Sequence, residues 1–142
     1  MMIRKPVAAV FQAFIDPIIT TKFWFTKSSG KLEVGKTVRW EWGMYNVSDN
    51  VLVKEVVTDE KISIGWGDPA TMVDFEFTVL TDETTYVVIK NYGFHQTGDE
   101  LIQAIKDNTG GFTTVLDGLK AYLEFGITLN LVNDKFPNVK KK

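Results

Sequence analysis

The chain of 142 residues contains no cysteine and one histidine, His95. Disulfides, thiolate nucleophiles, zinc–cysteine sites and iron–sulfur clusters are excluded, and so are polyhistidine metal sites. No apolar run reaches the roughly 18 residues of a membrane-spanning helix. Positive charge is scarce as well. Sixteen Lys+Arg stand against 18 Asp+Glu. Lys140, Lys141 and Lys142 supply three of the sixteen, so residues 1–139 carry thirteen against eighteen, a net −5. Nucleic acid is not an expected partner, because phosphate binding needs clustered cations. Arg4-Lys5 followed by Val7 to Ile15 imitates a secretion signal, but Gln12 interrupts it and Asp16-Pro17 ends it with no small-residue cleavage site. A cytoplasmic protein without membrane insertion is expected.

What is present is an ordinary globular balance, 44% hydrophobic, 13% aromatic and 24% charged. Val7, Val10, Phe11, Phe14, Ile15 and Ile18 follow helical spacing, and Asp16-Pro17 reads as a cap followed by a second short helix through about Phe23. From Thr37 the period changes to two. Val38, Trp40, Trp42 and Met44 alternate with polar neighbours, as do Ile62, Ile64 and Trp66, then Val73, Phe75, Phe77 and Val79, then Thr85, Val87, Ile89 and Asn91. Turn signals separate these runs at Ser48-Asp49-Asn50, Asp59-Glu60, Gly67-Asp68-Pro69 and Thr81-Asp82-Glu83. The pattern predicts an antiparallel sheet with one wet face, on which Arg39, Glu41, Asp74 and Glu76 are solvated.

Thr97 and Glu100 have capping-box spacing ahead of a helical stripe through Leu101, Ile105, Asn108, Phe112, Val115, Leu119 and Leu123. The helix ends near Gly126, and Gly110-Gly111 opens the option of a kink or break. A further turn is expected within Ile127 to Val132. No repeat or linker divides the chain, so one domain over residues 1–139 with a basic tail at 140–142 is expected.

A twisted sheet curving around one helix encloses volume that the helix need not fill. Ala104, Gly111 and Gly118 lie at heptad spacing beside the stripe, which leaves one strip of the helix almost without side chains. An apolar cavity is expected, walled by Trp40, Trp42, Trp66, Phe75, Phe77 and Phe112, with Asn91 and Asn108 as polar points that orient a ligand. The competing reading is that these aromatics close over one another as plain core.

The order of elements resembles the helix-grip fold of the START-like, or SRPBCC, superfamily: an α+β fold in which a curved antiparallel sheet of about six or seven strands wraps a long C-terminal helix. Gly111-Phe112-Thr113-Thr114-Val115-Leu116-Asp117-Gly118-Leu119-Lys120-Ala121-Tyr122-Leu123-Glu124 is similar to the closing helix of the family named after the activator of the ninety-kilodalton heat-shock chaperone's ATPase. Val10 to Pro17 with Phe23-Trp24-Phe25, and Gly30 to Gly35, resemble its opening helices, aromatic landmark and glycine-bounded turn. The resemblance implies a hydrophobic ligand held between sheet and helix, with no cofactor. A chaperone is the alternative partner, and a homodimer is left open.

Signals for catalysis are sparse. Gly65-Trp66-Gly67-Asp68-Pro69-Ala70 imitates a dinucleotide fingerprint, but strands flank it and no helix start waits for a phosphate. The run Val51 to Val57 does not alternate cleanly. One register turns Glu55 inward, where an acid in an apolar cavity could act as acid or base; the other turns Lys54 inward, and a bulge returns both to solvent. His95, in a glycine-flanked loop, is the second weak candidate for a proton carrier.

Overall fold

Seven strands form a single antiparallel sheet in the computed structural model, which describes residues 1–67 and 69–137. The expected tail at 140–142 and Asp68 of the Gly67-Asp68-Pro69 turn lie outside the described residues. The elements are β1 (Met2–Ile3), α1 (Val7–Ile15), α2 (Pro17–Thr20), β2 (Lys27–Ser28), β3 (Thr37–Trp42), β4 (Val47–Val57), β5 (Lys61–Trp66), β6 (Thr71–Thr81), β7 (Thr84–Tyr92), α3 (Gly98–Phe125) and α4 (Leu131–Lys135). The sheet runs β1-β7-β6-β5-β4-β3-β2, a meander closed by the N-terminal strand. It is an α+β fold, as the alternating runs and the helical stripe predict.

The core lies on one face of the sheet, because the inward residues of every long strand are apolar. Val38, Trp40, Val53, Ile62, Ile64 and Phe75 are each no more than 1% exposed. α1 covers them with Phe11 and Phe14, whose rings lie 5.5 Å and 5.8 Å from that of Phe77. The first helix stops at Ile15, since Asp16 leaves helical geometry, caps α2 by accepting from the Ile18 amide and is followed by Pro17. Two expectations fail here. Ile18 is turned off the stripe and exposed, and the second helix ends at Thr20 rather than near Phe23.

The β3–β4 connection also differs from the sequence reading. Ser48, Asp49 and Asn50 are not a turn; they pair with Glu41, Trp40 and Arg39 in the ladder. The chain instead reverses through a 3-10 turn at Gly43–Tyr45, which takes Met44 out of the strand, and Asn46 closes the reversal in the left-handed region at φ 51. Asparagine tolerates that geometry better than other non-glycine residues, so the tighter turn outcompetes the more polar one downstream.

β4 contains a bulge between Val53 and Glu55. Val51 and Val53 face the core, Lys54 and Glu55 both face out, and inward pairing resumes with Val56 opposite Ile62. Neither register expected from the sequence holds along the whole strand, because the extra residue at the bulge shifts it midway. Glu55 is thereby exposed beside Lys61, 3.7 Å away. On the same outer face Asp74 is buried, contrary to its expected solvation. It accepts from Ser63 Oγ at 2.6 Å and Tyr92 Oη at 3.1 Å, with Lys61 Nζ at 3.9 Å.

The C-terminal helix runs unbroken through Gly110-Gly111 for 28 residues. Thr97 stands at its N-cap, but its hydroxyl makes no capping bond, so the expected capping box does not form; Gly98, at φ 59, turns the chain directly after it. Gly126 caps the other end at φ 66 with its amide bonded to Ala121 and Tyr122. The expected last turn forms later than predicted, at Leu131–Lys135.

Glu124 ties this end of the helix to the sheet edge, receiving the Arg4 amide at 3.2 Å and the Lys120 ammonium, which also donates to the Met2 carbonyl at 3.0 Å. Burial pushes the Glu124 carboxyl up, but the bonds from Lys120 and the Arg4 amide outweigh it and hold the group below its ordinary value of 4.5. A carboxylate with a depressed value in the folded state stabilises above the unfolded value, and the contribution disappears as pH falls through the folded value. Glu124→Gln is therefore expected to cost about 1 kcal/mol at pH 7. Thermal melts of both proteins should show that difference shrinking as pH is lowered below about 4.5; a constant gap from pH 7 to pH 3 refutes the assignment.

Candidate ligand-binding site

Only Val115, Gly118 and Leu119 of the long helix are buried. The close approach is set by Gly118, where an added Cβ would stand 3.1 Å from the Phe23 carbonyl oxygen and 3.2 Å from the Phe23 Cβ. N-terminal to this point the helix rides above the sheet, and Leu101, Ala104 and Asn108 are only half-buried. Gly111 meets nothing: a Cβ built there finds no atom within 4 Å. The result is a cleft of about 920 Å³ between α3, the β3–β5 end of the sheet and the C-terminal segment. That volume lies within the rough 300–1,000 Å³ range of small-molecule sites.

The cleft wall is aromatic. Trp42 and Trp66 present parallel rings 5.8 Å apart between centroids, with an interplanar angle of 5°. Phe112 stands edge-on to Trp66 at 6.0 Å and to Trp24 at 6.1 Å. Trp66 is held in place by its indole N–H, which donates to Asp49 Oδ2 at 3.0 Å. That bond exists because Asp49 lies in β4 rather than in a turn.

Five of the eight residues expected at a ligand site line this cleft: Trp42, Trp66, Asn91, Asn108 and Phe112. The other three do not. Trp40 stacks on Phe25 at 4.8 Å, Phe75 packs on Phe14 at 5.1 Å, and Phe77 lies under α1. For these three the plain-core reading describes their surroundings, because α1, α2 and the Phe23-Trp24-Phe25 segment fill that half of the concave face.

Asn91 and Asn108 are committed to each other. Asn108 Nδ2 donates to Asn91 Oδ1 at 2.9 Å, and Asn91 Nδ2 donates to the Met72 carbonyl at 2.9 Å. The pair forms a strut from β7 to α3 at the border of the cleft.

The catalytic candidates stand apart from the cleft. Glu55 is carried to the outer face by the bulge, and the exposed His95 ring nitrogen lies 3.1 Å from the Ala70 carbonyl. Among the described residues, no group of three or more His, Asp or Glu side chains is placed to hold a metal ion, and no helix is long and apolar enough to cross a membrane.

The sequence reading missed one wall entirely. Residues after Gly126 fold back so that Val132, Lys135 and Phe136 border the cleft. Tyr45 anchors this segment: its hydroxyl donates to the Val132 carbonyl and accepts the Phe136 amide at 3.3 Å, and its ring lies 6.0 Å from that of Phe136. Lys135 Nζ donates to Thr114 Oγ1 at 3.2 Å. Tyr45 carried no signal while the turn was expected downstream at Ser48-Asp49-Asn50.

The family profile described as "Activator of Hsp90 ATPase homolog 1-like protein" matches residues 4–124. The chain belongs to this family. Members of known structure share its architecture. A Staphylococcus saprophyticus protein is 29% identical, with a TM-score of 0.80 over 91% of each chain. The Aha1 dimer from Colwellia psychrerythraea is 18% identical, with a TM-score of 0.72 over 89% of this chain and 93% of that one. DynU16, a putative protein of the dynemicin biosynthetic locus, is 20% identical at a TM-score of 0.74, and the match covers 90% of this chain but 46% of that one. At below 25% identity the last two likenesses concern fold alone. No curated protein matches.

Proposed function

We propose that this family member binds or carries a small hydrophobic molecule in the cleft between the sheet and the first half of α3. The observation that carries the reading is Gly111, which borders open volume in the middle of a covering helix, in a cleft also lined by Trp24, Trp42, Trp66 and Phe112. Trp66 and Phe112 are only half-buried and so forgo part of the about 1.5–3 kcal/mol that full burial of a large side chain supplies. An apolar guest recovers much of it, and the bonded Asn91–Asn108 strut and Tyr45 anchor hold the walls in place beforehand, so little ordering is required on binding. Enclosure and stacking suffice for this activity, and no reacting group is needed in the cleft.

The probe is 1-pyrenebutanol, a flat neutral amphiphile that fits the volume. Titration followed by quenching of tryptophan emission should give saturable one-to-one binding in the micromolar range, and Trp66→Ala should weaken it about tenfold by removing one stacked wall. Absence of saturable binding sinks the proposal. A chaperone-cofactor role and a homodimer are suggested by the names of relatives; pull-down with an ATPase assay, and sedimentation, address them separately.

A further inference from the structure

The mouth of the cleft is more selective than its walls. Lys106, Gly110 and Thr114 are spaced four residues apart, which stacks them in one row along α3. Lys135 reaches over that row from α4. Its Nζ bonds to Thr114 Oγ1 at 3.2 Å and lies 3.6 Å from the place a Cβ on Gly110 would occupy. Because Gly110 has no side chain, Lys135 can reach over the row, and it and Lys106 both border the same cleft. Among the described residues neither lysine forms an ion pair with a carboxylate.

The two carboxylates that border the cleft, Asp49 and Asp107, each accept a hydrogen bond from a neutral side chain. Asp49 Oδ2 accepts from the Trp66 indole, and Asp107 Oδ1 accepts from Gln103 Nε2 at 2.8 Å. Asp134, beside Lys135 in sequence, accepts from Asn133 at 3.1 Å. Deeper in, the bordering groups are aromatic or belong to the Asn91–Asn108 strut. The cleft therefore combines a flat aromatic wall with two lysines at its rim, the Asp107 carboxylate lying beside Lys106 in sequence.

We infer that the guest is an amphipathic anion, a planar apolar body with a carboxylate, whose rings lie among Trp42, Trp66 and Phe112 while its charged end meets Lys106 and Lys135. This rests on the carrier reading and narrows it to a ligand class. A neutral sterol-like or purely hydrocarbon guest would use the walls and leave both ammonium groups without an anionic partner. A cationic guest would meet Lys106 and Lys135 as like charges.

The test compares 1-pyrenebutyric acid with 1-pyrenebutanol on the full chain at pH 7, where the acid is ionised. The acid is expected to bind more tightly by about tenfold, and the advantage should shrink as salt is raised. Lys106→Gln and Lys135→Gln should each weaken the acid by about fivefold more than they weaken the alcohol. Retained alcohol binding shows that each variant is folded with an intact cleft. Equal affinity of acid and alcohol, or equal losses for both in the lysine variants, overturns the anion assignment while the carrier reading stands. If neither compound binds the parent protein, both fall together.

Discussion

Gly111→Leu is expected to weaken guest binding and to raise thermal stability at once. The new side chain enters the cleft where nothing lies within 4 Å of the Cβ position, so it meets no protein atom it must displace there. It competes instead for the volume a ligand would use. Forcing a guest past an inserted leucine costs on the order of 1–3 kcal/mol, so affinity for 1-pyrenebutanol should fall about tenfold or more. Glycine is a poor helix former, and replacing it at an interior helical position gains roughly 0.5–1 kcal/mol. The melting temperature should rise by about 2–4 °C for a chain of this size. Calorimetry and fluorescence titration on the same preparation check both halves. Unchanged affinity would mean that the volume beside Gly111 is not where ligand binds, and a lowered melting temperature would mean that the helix lies closer to the sheet than described.

Gly118→Leu should do the opposite. Seven residues further along the same helix, a Cβ already approaches the Phe23 carbonyl and Cβ to 3.1–3.2 Å, and three more carbons have no space. The obstacle is backbone, held by the Phe23 amide's bond to Thr20 and by the ring of Phe14 packed 5.7 Å away. Overpacking of this kind costs about 3 kcal/mol or more, since the helix must lift off the segment it grips. The expected result is a melting temperature lower by about 10 °C, read by circular dichroism. A melt within 2 °C of the parent would show that the contact yields easily and that the helix is not pinned at Gly118.

These two glycines also show how far the sequence could be read. Both stood in the same strip of small residues, and their spacing placed them on one side of the helix. Spacing says nothing about what faces a residue across a gap. Gly118 is small because another backbone presses on it; Gly111 is small with nothing opposite. The architecture itself was legible, because alternation in Ile62 to Trp66 and Val73 to Phe77 and the helical stripe through Leu119 are imposed by burial on one side; Val79, expected to continue the inward row, is exposed beyond the edge of the core. The inner wall was half legible. Trp42, Trp66 and Phe112 share the inward face with Trp40, Phe75 and Phe77, and which of them is covered depends on where α1 and Phe25 settle, a long-range matter no local pattern encodes. The β4 bulge is the same kind of case: one unpaired residue reversed the outlook of Glu55, and only pairing with β5 reveals it.

The division of α3 into a gripped half and a raised half gives the two halves different evolutionary freedom. Around Val115, Gly118 and Leu119 any change is felt by the whole molecule, because that stretch is clamped between sheet and Phe23. Before Gly111 a substitution alters the shape of a cavity and little else, so sequences can drift there, exploring new guests, while the scaffold keeps its melting point. A single rod of twenty-eight residues thus separates foldability from selectivity along its length, and relatives that diverge in what they hold should differ most in its middle turns, from Lys106 to Thr114.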